Sequence, residues 1–145
     1  MPASLSNNQR PDLWSYACQI YPNFKQALLA FQARGLSVND LLALSYARRY
    51  TLSLNERQWE ALATGQSRQL LERVRGLRFS LARESPLRAT ALGWELELER
   101  LDLQLLEHCL CPGMSNQLQK PPQLYQLNSD ERHDLEALLQ AMSTG

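Results

Sequence analysis

Charged residues of opposite sign are concentrated in two adjacent stretches of this chain. Their types and spacing are suited to ion pairing or to the binding of a charged ligand. Between Ser67 and Ala89 there are six arginines and two glutamates, a net charge of +4. Between Trp94 and Glu107 there are five acidic residues and one arginine, a net charge of −4. The planar guanidinium group of arginine matches both carboxylates and phosphates. The arginines therefore either pair with the acidic stretch or stay free to bind an anion, and the matching charges favour pairing.

Within the acidic stretch, Glu99 occupies a position where the spacing of the neighbouring leucines calls for an apolar residue. A carboxylate at a packed position must be paired, because an unpaired buried charge is strongly destabilising. If the two stretches form antiparallel helices, Arg75 and Arg78 come close to Glu99 and its neighbour Glu95. The sequence therefore predicts a structural ion pair between Glu99 or Glu95 and Arg75 or Arg78. The alternative is that each helix exposes its charged face to solvent.

The same two arginines support a second interpretation, a site for an anion or a small ligand. Arg75 and Arg78 could hold a phosphate, and aromatic residues of the N-terminal half, among them Trp14 and Tyr21, could line a pocket between helices. Asn39 lies at a predicted helix start, where backbone N–H groups can bind an anion. Core packing is the commoner role for the aromatic residues, and capping is the commoner role for Asn39.

The remaining metal-ligating and nucleophilic residues form no recognisable centre. His108, Cys109, Cys111 and His133 could be drawn as four zinc ligands, but their spacing lacks the paired cysteine knuckles of structural zinc sites. The chain has no phosphate-binding or dinucleotide-binding glycine motif, no zinc-protease motif, no nucleophile elbow and no Glu-x-x-His pair. The sequence predicts no catalytic residue, no metal and no cofactor, and it favours a protein that is not an enzyme.

Two long helices must position the charged stretches. Residues 66–84 repeat apolar side chains at the spacing of a helix packed on another helix, through Leu70, Val74, Leu77 and Leu81. Ser85-Pro86 then supplies a cap oxygen and a residue suited to a first helical turn. Residues 87–110 are predicted to be the second helix. The alternation at 94–99 resembles a strand, but leucine and glutamate favour helix and β-branched residues are absent there.

The second helix carries two apolar stripes, so it is expected to be buried on more than one side. One stripe runs through Leu92, Leu96, Leu103, Leu106 and Leu110, and the other runs through Trp94, Leu98, Leu101 and Leu105.

Shorter helices are predicted to surround this pair. One helix runs from residue 13 to 21, where Pro22-Asn23 breaks it, and another ends at Arg34 before Gly35. Capping boxes at 37–40 and 53–56 start two more helices, the first of them a central core helix reaching Tyr50. Asn128 to Glu131 cap a last helix, and no strand is predicted. The expected fold is all-α, a single-domain bundle of six to seven helices around a long antiparallel pair (about 66–84 and 87–110).

The predicted domain organisation has three parts. Residues 1–111 form a helical core in which 1–10 are disordered. Residues 112–127 form a strap rich in Pro and Gln, and residues 128–142 form a C-terminal helix that docks on the core.

Composition narrows the class of protein. The chain has 145 residues with 15 basic and 15 acidic side chains, and this neutral balance argues against a dedicated nucleic-acid binder. Three cysteines do not make a disulfide framework, which favours free thiols in a reducing compartment. No apolar stretch approaches the ~20 residues that a membrane span needs, and the N-terminal residues lack the apolar core of a secretion signal. The predicted location is cytoplasmic, with no membrane association.

The order of these motifs resembles a family of small bacterial proteins, the domain of unknown function 2390. The resemblance lies in Leu13-Trp14-x-x-Ala17-x-x-x-Tyr21, then Ala27-x-Leu29-x-x-Gln32, then Gly35-x-x-Val38-Asn39-x-Leu41-Leu42. Arg75-x-Leu77-Arg78 is similar to the family's arginine-rich helix, and Glu95-Leu96-x-x-Glu99-Arg100-x-x-x-x-Leu105-Leu106-Glu107 is similar to its acidic helix. The resemblance covers about residues 12–107 and implies an all-helical fold and a cytoplasmic location. It transfers no catalytic residue.

The chain departs from that family at two points. It has Gly65-Gln66 where an aromatic residue usually precedes the arginine helix, and it has Gly76 where the arginine stretch usually has a proline.

Three functional hypotheses follow. The first is a non-enzymatic protein-interaction or adaptor module, with a protein partner or self-association, because the second helix has more apolar surface than one neighbour can cover. The alternative is a small-ligand or anion-binding helical bundle that uses the arginine helix and the N-terminal aromatic residues. The third is nucleic-acid contact through the arginine helix, which the neutral net charge disfavours.

Overall fold

The computed structural model describes residues 10–113 and 127–144. In chain order its elements are α1 (Leu13–Gln32), α2 (Val38–Arg49), β1 (Leu52–Leu54), α3 (Glu56–Ala63), α4 (Gln66–Ser80), α5 (Pro86–His108), β2 (Leu110–Pro112) and α6 (Ser129–Thr144). The protein is mostly helical, and residues 94–99 lie within α5 as predicted. The predicted total of six or seven helices refers to the whole chain and stays a prediction. No helix in the described ranges is both long enough and apolar enough to cross a membrane.

Two of the predicted segments fall largely outside these ranges. The expected disordered start is described only at Arg10, and the Pro/Gln-rich strap is described only at its two ends. The division into core, strap and docking helix therefore stays a prediction.

Local capping explains where several helices begin. Ser37 Oγ accepts a hydrogen bond from the backbone N–H of Asp40 at the start of α2, and Ser85 Oγ accepts one from Leu87 at the start of α5. Asn128 and Glu131 cap each other's backbone N–H groups, at 2.8 and 3.0 Å. These three predicted helix starts are confirmed. At the end of α1, Gly35 has φ of 95°, the left-handed conformation predicted for a residue beyond a helix end.

The break predicted at Pro22-Asn23 is found at the next residue, where the non-helical backbone of Phe24 divides α1 into two helical segments. α1 runs from Leu13 to Gln32 with a kink at Phe24, where φ is −127° and ψ is 17°. Proline removes one backbone hydrogen bond and its ring crowds the preceding turn, which bends a helix without ending it. The turns on both sides of the kink remain helical because Ile20 and Leu28 are buried in the same core.

The prediction that the chain has no strand is wrong. β1 and β2 form a short antiparallel ladder in which Ser53 lies opposite Cys111. α5 therefore ends two residues before Leu110, and α3 is capped by Asn55 instead of Ser53, since Ser53 belongs to β1. Strands of three residues are too short to show an alternating pattern, and their pairing joins segments distant in sequence.

Helix α2 is the centre of the core. Its residues Asp40–Ala47 are all buried, which confirms the prediction of a central core helix. α1, α5, α6 and β1 pack around it. α6 contributes four side chains to this packing, Leu135, Leu138, Leu139 and Met142.

The buried faces of α4 and α5 differ from the predicted leucine stripes. In α4 the buried residues are Arg68, Leu71 and Val74, and in α5 they are Ala91, Glu95, Asp102, Leu103 and Leu106. Six residues of the predicted stripes are instead exposed: Leu70, Leu77, Leu92, Trp94, Leu96 and Leu101. α4 ends at Ser80, so Leu81 lies beyond the helix. Charged side chains occupy much of the contact between α4 and α5, and they displace leucines to the outside.

Candidate functional site

Two ion pairs join α4 to α5 near the end of the pair that is closed by the Ser85 turn. Arg78 donates two hydrogen bonds to the carboxylate of Glu95, at 2.6 and 3.2 Å, and Arg75 donates one to Glu99 at 2.8 Å. Arg75 also contacts Glu72 on its own helix at 3.2 Å. The structure thus places the four residues predicted for a structural ion pair together: Arg78 binds Glu95, and Arg75 binds Glu99 and also lies 4.0 Å from Glu95.

A second charged cluster lies deeper, where α2, α4 and α5 meet. Arg68 donates hydrogen bonds from Nη1 and Nη2 to Asp40, at 3.0 and 2.5 Å, and from Nε and Nη2 to Asp102, at 2.8 and 3.2 Å. Asp40 accepts a third hydrogen bond, from the indole N–H of Trp59, at 2.9 Å. Asp102 accepts a further hydrogen bond from the side-chain amide of Asn39, at 3.0 Å. One arginine therefore holds two carboxylates, and each carboxylate has an additional neutral donor.

Burial sets the electrostatics of this cluster. It raises the pKa of the Asp40 carboxyl, against the opposing effect of the hydrogen bonds and charge of Arg68. Burial alone would lower the pKa of Arg68, but the hydrogen bonds and charges of Asp40 and Asp102 outweigh it and raise that pKa. We conclude that Arg68 stays charged, and that its single positive charge is shared by the two carboxyl groups in a site almost closed to water.

Sequence reasoning missed the role of this cluster. Asp40 was expected to complete a capping box with Ser37, but its carboxylate turns inward to Arg68 and Trp59. One signal was available: Arg68 is seven residues before Arg75, and Asp102 is three residues after Glu99, so each lies on the same helix face as a residue of the predicted ion pair.

All five residues predicted to bind a ligand or anion line one cavity of about 610 Å³ between α1, α2, α4 and α5. Trp14, Tyr21, Asn39, Arg75 and Arg78 form part of its wall, and most of the remaining wall is apolar, including Leu29, Val38, Leu42, Phe79, Leu96 and Leu103. Burial, and to a lesser extent the negative charge of Glu99, raises the pKa of the Tyr21 hydroxyl, so Tyr21 is a neutral group there. The cavity is of the size that small-molecule sites usually have.

The charges along this cavity are largely balanced. Arg75 and Arg78 are engaged by Glu99 and Glu95, and the guanidinium of Arg100 lies 5.1 Å from the ring centre of Trp14. Asn39 makes hydrogen bonds to Asp102 and to the backbone oxygen of Glu99. A free anion would therefore have to compete with carboxylates that are already in place.

The other aromatic residues of the N-terminal half belong mostly to the core. Tyr16 and Tyr46 are buried and pack edge to face, with ring centres 5.2 Å apart. Trp59 is also buried, against Asp40. Core packing, the commoner role, therefore accounts for these three residues.

Residues considered as metal ligands are not gathered together. In residues 10–113 and 127–144, no group of three or more His, Cys, Asp or Glu side chains is arranged to hold a metal ion. Cys18, Cys109 and Cys111 are free thiols, of which Cys109 is buried.

The outside of the α4–α5 pair carries a row of exposed hydrophobic side chains on each helix. We call these residues the outer apolar face: Leu70 and Leu77 on α4, and Leu87, Trp94 and Leu101 on α5. Between 40% and 62% of each residue is exposed. The cavity-lining Phe79 and Leu96 each lie two residues beyond a member of this face, which places them nearly opposite on their helices. The outer apolar face is therefore the side of the pair turned away from the cavity and from α1.

Comparison with known proteins assigns most of this architecture to one family. The family model described as "Protein of unknown function (DUF2390)" matches residues 12–106. The chain belongs to the DUF2390 family. The match to DUF2390 confirms the resemblance seen in the sequence. Neither a curated protein nor a solved structure matches the chain.

The DUF2390 segment contains all of the candidate sites described above. It includes the buried cluster around Arg68, both ion pairs, the cavity and the outer apolar face, whereas β2 and α6 lie beyond it. The candidate sites are therefore part of the DUF2390 unit itself.

Proposed function

We propose that this protein is a non-enzymatic helical module that binds another protein through its outer apolar face. One observation carries the proposal: three ion pairs join α4 to α5, while five large hydrophobic side chains of the two helices face outward. Exposed apolar surface of this kind, bordered by polar residues, is typical of protein-interaction sites.

The ion pairs beneath this face also give it a fixed shape. Arg68, Arg75 and Arg78 tie α4 to α5 at three levels, and Arg68 joins both helices to α2. The outer leucines are therefore not needed to hold the pair together. A rigid surface loses little conformational entropy on binding, so its apolar area is available for association.

We place this activity in the bacterial cytoplasm, in keeping with the family resemblance and with three thiols that are all free. The arginine helix offers little free positive charge to a nucleic acid, because Arg68, Arg75 and Arg78 are each bound by carboxylates. A protein partner is therefore the better match to this surface than a nucleic acid.

Cross-linking in the native cell tests the proposal. The tagged full chain is compared with a Leu77→Glu/Trp94→Glu double variant and with Ala30→Glu, a control at an exposed position of α1. We expect the wild type and the control to cross-link to the same protein through α4 or α5, and the double variant to lose that product. Cross-links that survive in the double variant, or none in any form, would contradict the proposal.

A second candidate function is the binding of a small ligand in the cavity between α1, α2, α4 and α5, favoured by the convergence of all five predicted residues there. Because Arg75 and Arg78 are neutralised by glutamates, the ligand that suits the cavity is an uncharged aromatic or apolar molecule. Trp14 and Tyr21 supply flat surfaces against which such a molecule can stack.

An uncharged fluorescent probe, N-phenyl-1-naphthylamine, tests this candidate directly. We expect saturable binding that is weakened by Leu29→Trp, because Leu29 is an exposed residue of the cavity wall where a larger side chain narrows the opening. Ala30→Glu is again the control. Thermal stabilisation by inorganic phosphate would favour the anion form of the hypothesis instead, and the absence of both effects would count against a ligand site.

A further inference from the structure

The hydrophobic residues of the outer apolar face repeat at an interval of seven. Leu70 and Leu77 are seven residues apart on α4, and Leu87, Trp94 and Leu101 are separated by seven on α5. A repeat of seven keeps side chains on one line along a helix that packs lengthwise against another helix. The surface best matched to this face is therefore another pair of helices lying along it.

Each helix also carries one unpaired charge within its row. Arg73 follows Leu70 by three residues and precedes Leu77 by four, and Glu97 stands in the same relation to Trp94 and Leu101. Both side chains are exposed, and neither makes an ion pair with any other residue of the described ranges. The basic member lies on α4 and the acidic member on α5, so the face is complementary to itself.

We propose that the occupant of the outer apolar face is a second copy of this chain, with α4 of one copy lying over α5 of the other. This inference rests on the proposed function and names its partner. A two-fold axis along the helix pair places Arg73 of each copy near Glu97 of the other, so the same contact is made twice. Every apolar row then meets an apolar row, and every unpaired charge meets its opposite.

A membrane surface fits this face less well than a second copy does. Helices that lie on membranes carry Lys and Arg along both borders of the apolar face, because lipid headgroups are often anionic. Here the row on α5 contains Glu97, which such a surface would repel.

Sedimentation equilibrium of the full chain, from low to high micromolar concentration, measures the predicted association. We expect the average mass to rise with concentration from 16.6 kDa towards twice that value. Leu77→Glu/Trp94→Glu is expected to remain monomeric throughout, whereas Ala30→Glu is expected to behave as the wild type. All three substituted residues are exposed, and circular dichroism checks that each variant is folded.

Charge reversal tests which helices meet. Arg73→Glu and Glu97→Arg alone should each weaken association by roughly tenfold or more, since each replaces two weak attractions by two repulsions. The double variant Arg73→Glu/Glu97→Arg should recover most of that loss, because the opposite charges face each other again. Recovery supports the arrangement of α4 over α5. If the double variant associates no more strongly than the single variants, this arrangement is overturned.

Two further outcomes would overturn the inference in different ways. A wild type that remains monomeric at all concentrations excludes a second copy. If the cross-linked product of the preceding section is nevertheless another protein and depends on the same face, the proposed function stands while this inference fails. Association that is unaffected by Leu77→Glu/Trp94→Glu shows that copies meet through a different surface.

Discussion

Replacing Arg68 by methionine is the most direct test of the buried charged cluster. Methionine has similar length and fills much of the same space, but it carries no charge and donates no hydrogen bond. The change leaves Asp40 and Asp102 without their shared cation in a site where they are 0% and 2% exposed. Trp59 and Asn39 would each still donate one hydrogen bond, so the loss is mainly that of the compensating charge.

The size of the effect follows from this burial. Removing one partner of a buried ion pair typically costs 3–5 kcal/mol, because the remaining charge is left uncompensated, so we expect Arg68→Met to lower the free energy of unfolding by about 4 kcal/mol. In a domain of this size, 1 kcal/mol corresponds to roughly 2–4 °C, and the melting temperature should fall by roughly 8–16 °C. Most natural domains have a total stability of about 5–15 kcal/mol, so the variant should still fold.

Urea denaturation followed by circular dichroism, repeated at several pH values, measures this loss. Burial already raises the pKa of Asp40 above its ordinary value, and loss of Arg68 removes the effects that oppose burial. A carboxyl whose pKa is higher in the folded state than in the unfolded state destabilises the fold at pH above the unfolded value, and this cost disappears once both states are protonated. The deficit of Arg68→Met relative to the wild type should therefore shrink as pH falls from about 8 to about 5.

Arg57→Met is the matched control, because Arg57 is exposed on α3 and makes no ion pair within the described ranges. Its effect should stay within about 0.5 kcal/mol. A loss of less than about 1 kcal/mol in Arg68→Met would refute the view that Arg68 compensates buried charge, since an ion pair exposed to solvent contributes no more than that to stability. A deficit that grows as pH falls would refute it as well.

Three further substitutions test neighbouring contacts by the same denaturation assay. Trp59→Phe removes the indole N–H that Asp40 accepts and should cost about 1–3 kcal/mol; a neutral result would contradict the importance of that donor. Arg78→Lys keeps the charge facing Glu95 but loses the two-pronged geometry, so it should cost less than Arg78→Met, for which about 2–3 kcal/mol is expected. Equal losses in those two variants would show that a charge without the fork contributes nothing, and would contradict this expectation. Asn55→Ala removes the side-chain cap of α3, with an expected loss of about 1 kcal/mol, and unchanged stability would argue against capping there.

Much of the helical organisation could be predicted from the sequence, because helix formation depends on groups within a few residues of one another. The cap oxygens of Ser37 and Ser85 and the reciprocal cap of Asn128 with Glu131 mark helix starts that the structure has. The helical state of residues 94–99 followed from leucine and glutamate in the same way. An interruption near Pro22-Asn23 was also predicted, but its form as a kink at Phe24 was not, since whether a proline bends or ends a helix depends on what the turns beyond it pack against.

The candidate site, too, could be predicted from the sequence only in part. The nearness of Arg75 and Arg78 to Glu95 and Glu99 could be expected from charge and register on two adjacent helices. The placement of Asp40 against Arg68 could not be expected, because Asp40 lies on α2, which β1 and α3 separate from α4 along the chain.

The sequence by itself determined that this protein is mostly helical, where several helices begin and that α4 and α5 carry opposite charges. Only the tertiary structure decided which faces of those helices are buried, because burial depends on what packs against a helix and not on its own periodicity. It placed Arg68 and Asp102 inside and Leu70 and Leu77 outside, the reverse of what their polarity suggests. A buried carboxylate is stable there because a buried guanidinium lies within hydrogen-bonding distance of it, and this compensation exists only once distant segments have met.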